Sequence, residues 1–304
     1  MRERWNVEHA QRITLLGMPE LPEVETIANG VHARVHGQRI ASVWTSGKPQ
    51  TFKSSEAEIA EALTGATIDS VRRVGKTIVM TVNRGAPRKS QSPTEFLIHL
   101  GMTGRLLVSQ PEVPLPLHTH AVLTLADHRE IRFVDPRRFG RLSIHQPRTP
   151  QPATDTPQPA TSYTGPGREP LTISLEDFIA LFRNRRTPIK AALLNQSLLH
   201  GVGNIYADES LFRAGIRPRR QAARVTRAEL ERLRAALQTV LRRAIKLGGS
   251  SVSDYVDAEG MRGYFQIEHK VYGHGGEPCS TCGTPIKKIV VGGRGTHFCP
   301  TCQK

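Results

Sequence analysis

Four cysteines carry the most specific chemistry in the chain. They stand as Cys279-x2-Cys282 and Cys299-x2-Cys302 with sixteen residues between the pairs, a spacing that lets four thiolates surround one tetrahedral, structural zinc ion. Two redox dithiols would use the same residues. A structural metal better explains how so short a segment, rich in Gly and Lys, folds at all, because ligation can contribute on the order of 10 kcal/mol. With no cysteine elsewhere, nothing points to a disulfide scaffold. Lys287, Lys288 and Arg294 fall between the pairs and would present positive charge to phosphate. By itself this is only a zinc ribbon.

A second candidate is Gly201-Val-Gly-Asn-Ile-Tyr206, between an apolar helix expected over residues 189–199 and another running to Arg213. Asn204 suits a helix N-cap and the glycines expose backbone N–H groups, so the segment serves equally as a phosphate site or as a cap in a helical hairpin. A third is Pro19-Glu-Leu-Pro-Glu-Val-Glu25. Read locally, it is a proline-started helix with acidic residues complementing its dipole.

The elements that must hold these groups fall into an α+β, multidomain pattern. From Val31 to His145, short runs rich in Val, Ile, Leu and Thr, among them 77–82, 95–100, 121–126, 130–134 and 141–145, predict strands of a β-sandwich. A tight turn at Asp127-His128 joins two of them. Residues 146–167 are rich in Pro, Thr and Gln and read as an extended linker. Beyond them the pattern turns helical. Ser174 with Asp177, and Thr226 with Glu229, resemble capping boxes, and Leu230, Leu233, Leu237, Val240, Leu241 and Ile245 form one stripe that Gly248 ends. The expected division is an extension over 1–18, a β-sandwich domain over 19–147, a linker over 148–168, a helical domain over 169–265 and a zinc finger over 266–304.

Lys and Arg outnumber Asp and Glu by 42 to 27, a formal charge of +15, which favours a polyanionic partner, nucleic acid ahead of an acidic membrane surface. No apolar run approaches the length needed to span a bilayer. The first seventeen residues carry Arg2, Glu3, Arg4, Glu8 and Arg12 and make a poor signal peptide. Met18 directly precedes Pro19, so translation is expected to start at Met18.

Taken together, the motifs resemble the formamidopyrimidine-DNA glycosylases. The resemblance runs from Pro19 to Lys304 through Pro19-Glu-Leu-Pro-Glu-Val-Glu25, His99-Leu-Gly-Met-Thr-Gly104, Asp135-Pro-Arg-Arg-Phe-Gly140, Gly201-Val-Gly-Asn-Ile-Tyr206, Gly263-Tyr-Phe265 and the ribbon ending in Cys302-Gln-Lys304. It implies an N-terminal β-sandwich, a helix-two-turn-helix domain and a C-terminal zinc-finger hairpin. It also implies a bacterial, cytoplasmic, nucleoid-associated monomer that acts on damaged double-stranded DNA, excising 8-oxoguanine and formamidopyrimidines and then cutting the backbone by β,δ-elimination.

The same resemblance assigns roles. Pro19, through its α-amine once Met18 is removed, is the nucleophile; Glu20 the acid; Lys76 a second catalytic cation; Arg294 a phosphate clamp used in elimination. Glu23 matches a carboxylate near the pocket or else complements a helix dipole at the surface. Met102, Arg137 and Phe139 match the wedge that fills the gap left by the flipped base, with Arg137 pairing to the orphaned cytosine. His118, Arg185 and Asn204 match phosphate contacts, Arg185 standing where lysine is common. Residues 250–264 match a loop over the extruded base. Two rivals remain at this level. One is the endonuclease VIII branch, directed at oxidised pyrimidines, which Leu21, Arg137 and Phe139 disfavour. The other is a non-catalytic DNA-binding protein, if Pro19 stays locked in an amide.

Overall fold

The computed structural model describes residues 18–85, 94–146, 162–250 and 263–304. The expectations placed on the N-terminal segment, the central linker residues 147–161 and the loop 251–262 lie outside them. Helix α1, Leu21–Val35, opens the described chain with Pro22 in its first turn, where a missing N–H costs nothing. Its face of Val24, Ile27, Ala28, Val31 and Val35 enters the sandwich core, while Leu21 belongs to the core of the helical domain. One helix thus roots in both domains.

The sandwich consists of two antiparallel four-stranded sheets. Strands β1 (Ile40–Thr45), β6 (Thr119–Leu125), β7 (Glu130–Val134) and β5 (Arg105–Ser109) lie side by side in that order; β2 (Thr67–Val74), β3 (Thr77–Asn83), β4 (Thr94–His99) and β8 (Arg141–His145) form the other sheet. The predicted β7 and β8 match in both bounds; β3, β4 and β6 shift by a residue or two, and β1, β2 and β5 were not delimited from the sequence. Helix α2, Glu56–Leu63, was not anticipated, although Ser55 caps it by accepting the Glu58 N–H. In the β2–β3 hairpin Val74 pairs with Thr77, so Gly75 and Lys76 alone make the turn. Gly75 has φ of 61°, fitting the first central position of a type II′ turn. That turn presents Lys76.

The helical domain contains α3 (Leu175–Phe182), α4 (Ile189–Leu193), α5 (Asn204–Ala214) and α6 (Arg227–Lys246). Ser174 and Thr226 cap α3 and α6 as the sequence predicts, and Gly248 takes φ of 74° just past α6. Helix α4 stops well short of the expected residue 199. Asn195 Oδ1 accepts the Ser197 N–H, and Gln196 Nε2 donates to the carbonyls of Leu194 and Val202. Local side-chain bonds there replace the helical ladder. The zinc-finger hairpin pairs β9 (Lys287–Val291) with β10 (Arg294–Phe298) across Gly292-Gly293, both at positive φ as a type I′ turn requires. Buried Gln303 accepts the Cys299 N–H and donates to the Ile216 carbonyl, fastening the finger beyond the C-terminus of α5.

Candidate active site

The junction of sandwich, helical domain and finger encloses a cavity of about 680 Å³, lined among others by Met18, Glu20, Lys76, Met102, Asn204 and Arg294. Residues up to 276 positions apart therefore meet at one place, which their chemistry alone required. Pro19 is buried and is not itself among the lining residues, although its chain neighbours Met18 and Glu20 are. The Leu21 N–H donates to the Gly201 carbonyl at 3.0 Å, tying the start of α1 to the glycine loop before α5.

Glu20 faces the N-terminus of α5, where its Oε1 accepts the Ile205 N–H at 3.2 Å. The cap residue of α5 is Gly203, not Asn204, which corrects the cap expected from sequence. The physical reason is space: a Cβ on Gly203 would overlap the Glu20 carboxyl group, so glycine lets an acid from another domain satisfy the helix start. Burial drives the Glu20 carboxyl up to about 7, against the opposing pull of Lys76 and the α5 amides. Such a group holds and releases a proton near neutrality. Burial likewise lowers Lys76, with Glu20 and Glu23 pulling it back up.

Asn204 is the first helical residue of α5, and its amide donates to the Gly295 carbonyl at 2.9 Å. Four residues on, Asp208 pairs with Lys190 of α4 at 2.6 Å, both fully buried, and accepts the His297 N–H at 2.8 Å. Lys190 also donates to the Gly295 carbonyl and the Thr296 hydroxyl. Helices α4 and α5 thereby grip the strand that Arg294 begins, while Arg294 itself stays exposed on the cavity wall.

Glu23 is neither at the surface nor on the cavity wall. It is 2% exposed and accepts the Tyr206 hydroxyl, the Glu20 N–H and the Ser250 N–H; burial raises its carboxyl. It joins α1, α5 and the residue where the described part of the 250–264 segment begins.

Met102 and Phe139 line a second cavity of about 570 Å³ with Lys53, His99, Arg138 and Arg141, and Met102 and His99 line the main cavity as well. Phe139 is 46% exposed, which rules out a place in the sandwich core. The Arg137 guanidinium lies 4.7 Å from its ring centroid. Asp135, fully buried, joins the two loops: it accepts the Thr103 hydroxyl beside Met102 and the N–H groups of Arg137 and Gly140. His118 is exposed with φ of 68°, and its carbonyl accepts the Asp135 N–H. Arg185 lies apart from both cavity walls, its Nε donating to the Leu181 carbonyl.

Sequence reading missed His99 and Tyr272, which also line the main cavity. His99 heads a motif read only for Met102; burial and the charges of Lys76 and Arg141 lower it. Tyr272 belongs to no motif, and burial first, then Glu20, pushes its phenol up to about 12.

The four cysteine sulfurs lie within 4.8 Å of one another, with Cys282 and Cys299 at 3.4 Å and Cys279 and Cys302 at 3.9 Å. A tetrahedron of Zn–S bonds has edges of about 3.8 Å, so the donor set fits one zinc.

Three family models cover the chain: the formamidopyrimidine-DNA glycosylase N-terminal domain over residues 18–142, the H2TH domain of the same enzymes over 166–256, and a zinc finger found in FPG and IleRS over 276–304. The chain belongs to the formamidopyrimidine-DNA glycosylase family. A formamidopyrimidine-DNA glycosylase from Solibacter usitatus is 43% identical, covering 94% of this chain and 100% of its own; one from Symbiobacterium thermophilum is 42% identical over 94% and 89%. Among solved structures, Lactococcus lactis Fpg in complex with DNA containing an oxidised pyrimidine superposes with a TM-score of 0.78 at 32% identity, over 94% of this chain and 100% of that one. Thermus thermophilus MutM (Fpg) gives 0.77 at 39%, over 94% and 98%. This DNA glycosylase therefore has the family's fold, and its four cysteines hold one structural zinc. No helix among the described residues is long and apolar enough to cross a membrane.

Proposed function

We propose that this glycosylase excises oxidised purines, 8-oxoguanine and formamidopyrimidines, from duplex DNA and then cleaves the backbone by β,δ-elimination, acting as a monomer on DNA in the cytoplasm. The observation that carries the reading is the meeting of Glu20, Lys76 and Arg294 around one cavity beside Pro19. In the active species Pro19 is the first residue. Its neutral secondary amine attacks C1′ of the damaged nucleotide; the N–C1′ bond forms, the glycosidic bond breaks, and the base departs with the electron pair and takes up a proton. The amine loses its proton, and Glu20 protonates the ring oxygen as the sugar opens. The product is an iminium, which acidifies the C2′ proton whose loss expels the 3′ phosphate. An α-amine with a reference pKa near 8 supplies a neutral fraction that an ordinary lysine does not. Met18 lines the cavity, so its side chain occupies space that the substrate needs.

Lys76 and Arg294 hold the phosphates flanking the lesion, with His118, Arg185 and Asn204 as further DNA contacts. Met102, Arg137 and Phe139 fill the gap left by the extruded base, Arg137 facing the orphaned cytosine.

The test is borohydride trapping on an 8-oxoguanine duplex, with the N-terminus of the protein read in parallel. Protein beginning at Pro19 should trap covalently, and Pro19→Gly should trap far less. An untrapped protein beginning at Pro19 sinks the reading. An oxidised-pyrimidine duplex belongs in the panel, since preference for it would move the enzyme to the endonuclease VIII-like branch.

A further inference from the structure

We propose that residues 162–169 form a strap across the domain junction that contacts substrate, and that Tyr163 on it binds the sugar–phosphate backbone of DNA entering the cavity. The inference rests on the DNA-cleaving function proposed above but on none of the residues that carry it.

The strap is fastened at both ends. At one end is Glu95, the second residue of β4 and fully buried, a position where an unpaired carboxylate is costly. Its partners come from the strap: Glu95 accepts the Ser162 hydroxyl and, at 2.7 Å, the Tyr163 N–H. Arg72 pairs with Glu95 at 2.9 Å and donates to the Tyr163 carbonyl at 3.1 Å. Both polar groups of the Tyr163 backbone are thus fixed. Burial alone would raise the Glu95 carboxyl; these donors instead hold it below the usual range. At the other end the Arg168 N–H donates to the Leu198 carbonyl and the His200 N–H to the Arg168 carbonyl, while Glu169 takes Arg73 at 3.0 Å and His200 at 3.2 Å.

Between the clamps the backbone lies too close to the helical domain for side chains. A Cβ on Gly165 would sit 2.6 Å from His200 Nδ1, and one on Gly167 would overlap the Gln196 carbonyl oxygen. Tyr163 and Pro166 project onto the wall of the main cavity, which Lys76 and His99 also line. The Tyr163 ring meets His145 edge-on at 5.8 Å. Its phenol makes no hydrogen bond among the described residues. An aromatic ring backed on one side, with a free neutral donor in a cationic cleft, suits a deoxyribose face and a phosphate oxygen.

The experiment uses protein beginning at Pro19 and a duplex carrying a tetrahydrofuran abasic analogue. Tyr163→Phe keeps the packing against His145 and removes only the donor. It should weaken binding about three- to tenfold, the range of one neutral hydrogen bond, and on an 8-oxoguanine duplex should raise KM by a similar factor with kcat unchanged. Tyr163→Ala should lose more. Wild-type affinity for Tyr163→Phe would reduce Tyr163 to packing and overturn the proposal, as would a loss confined to kcat. Failure of the wild-type protein to trap with borohydride would count against the catalytic reading alone, because binding to the abasic analogue needs no chemistry.

Discussion

At the scale of single residues, the site is governed by what burial does to two carboxylates and a lysine. Glu20 titrates near 7 in the fold against 4.5 without it. The folded chain therefore holds a proton there that the unfolded chain has lost between those values, and stability falls as pH rises through that window. Glu20→Gln removes the cost: urea unfolding at pH 8 should show a gain of about 3 kcal/mol, shrinking to almost nothing at pH 4, together with loss of most excision activity. An equal gain at both pH values would mean that the carboxyl is not held protonated by its surroundings. That Glu20, Lys76 and Arg294 share one cavity was legible in the sequence only through the family resemblance of the motifs around them. The burial of Glu23 was not, since its surroundings come from Tyr206 and Ser250, some two hundred residues downstream. Tyr272 gave no signal at all, because a lone tyrosine outside a periodic stripe looks the same whether it faces solvent or a cleft.

At the scale of elements, α5 is the organising piece. Its first turn receives Glu20, and its Asn204 and Asp208 side chains, with Lys190, fix β10 behind Arg294. Gly203→Ala should displace the Glu20 carboxyl, which a Cβ there would overlap, and cut excision by at least tenfold while leaving binding to an abasic-analogue duplex within about threefold, a misplacement of about 1 Å being enough to cost on the order of a hundredfold in rate. Lys190→Met leaves Asp208 as a buried, unpaired anion and should cost about 3–5 kcal/mol in denaturant unfolding. Adding Asp208→Leu should recover much of that stability without restoring the second elimination, because the grip on Gly295 and Thr296 is still missing; full recovery of the δ-elimination product would show that the pair does not position Arg294. Five of the sandwich strands and the capped helices α3 and α6 were readable in advance, since alternation and Ser or Thr caps are local signals, whereas α2 was missed although Ser55 caps it in the same way. The length of α4 and the cap of α5 were not. Asn195 and Gln196 end the one by bonds that compete with the helix, and Glu20 replaces the other's cap from across the molecule.

At the scale of the whole molecule, a net charge of +15 and three domains closing on one cavity make binding dependent on ionic strength. The logarithm of affinity should fall linearly with the logarithm of salt, and Arg294→Gln should lower the slope by about one, as expected for a single lost phosphate contact. Chelating the zinc should release the finger and abolish elimination while the sandwich keeps its near-ultraviolet circular dichroism, because the finger's four-residue apolar cluster cannot hold it alone. Glu95 has a further effect, on tolerance to insertion. It pairs across the sheet with His145 and also grasps Ser162 and Tyr163, so one buried carboxylate gathers both ends of the chain between residues 146 and 162. The ends of that segment are held by contacts within the fold and not by the segment's own length. Closing a loop costs only about 0.6 kcal/mol for each doubling of its length, so a reporter peptide or small domain spliced between those residues should leave melting temperature and DNA cleavage nearly unchanged. This makes the segment a practical attachment point for labels.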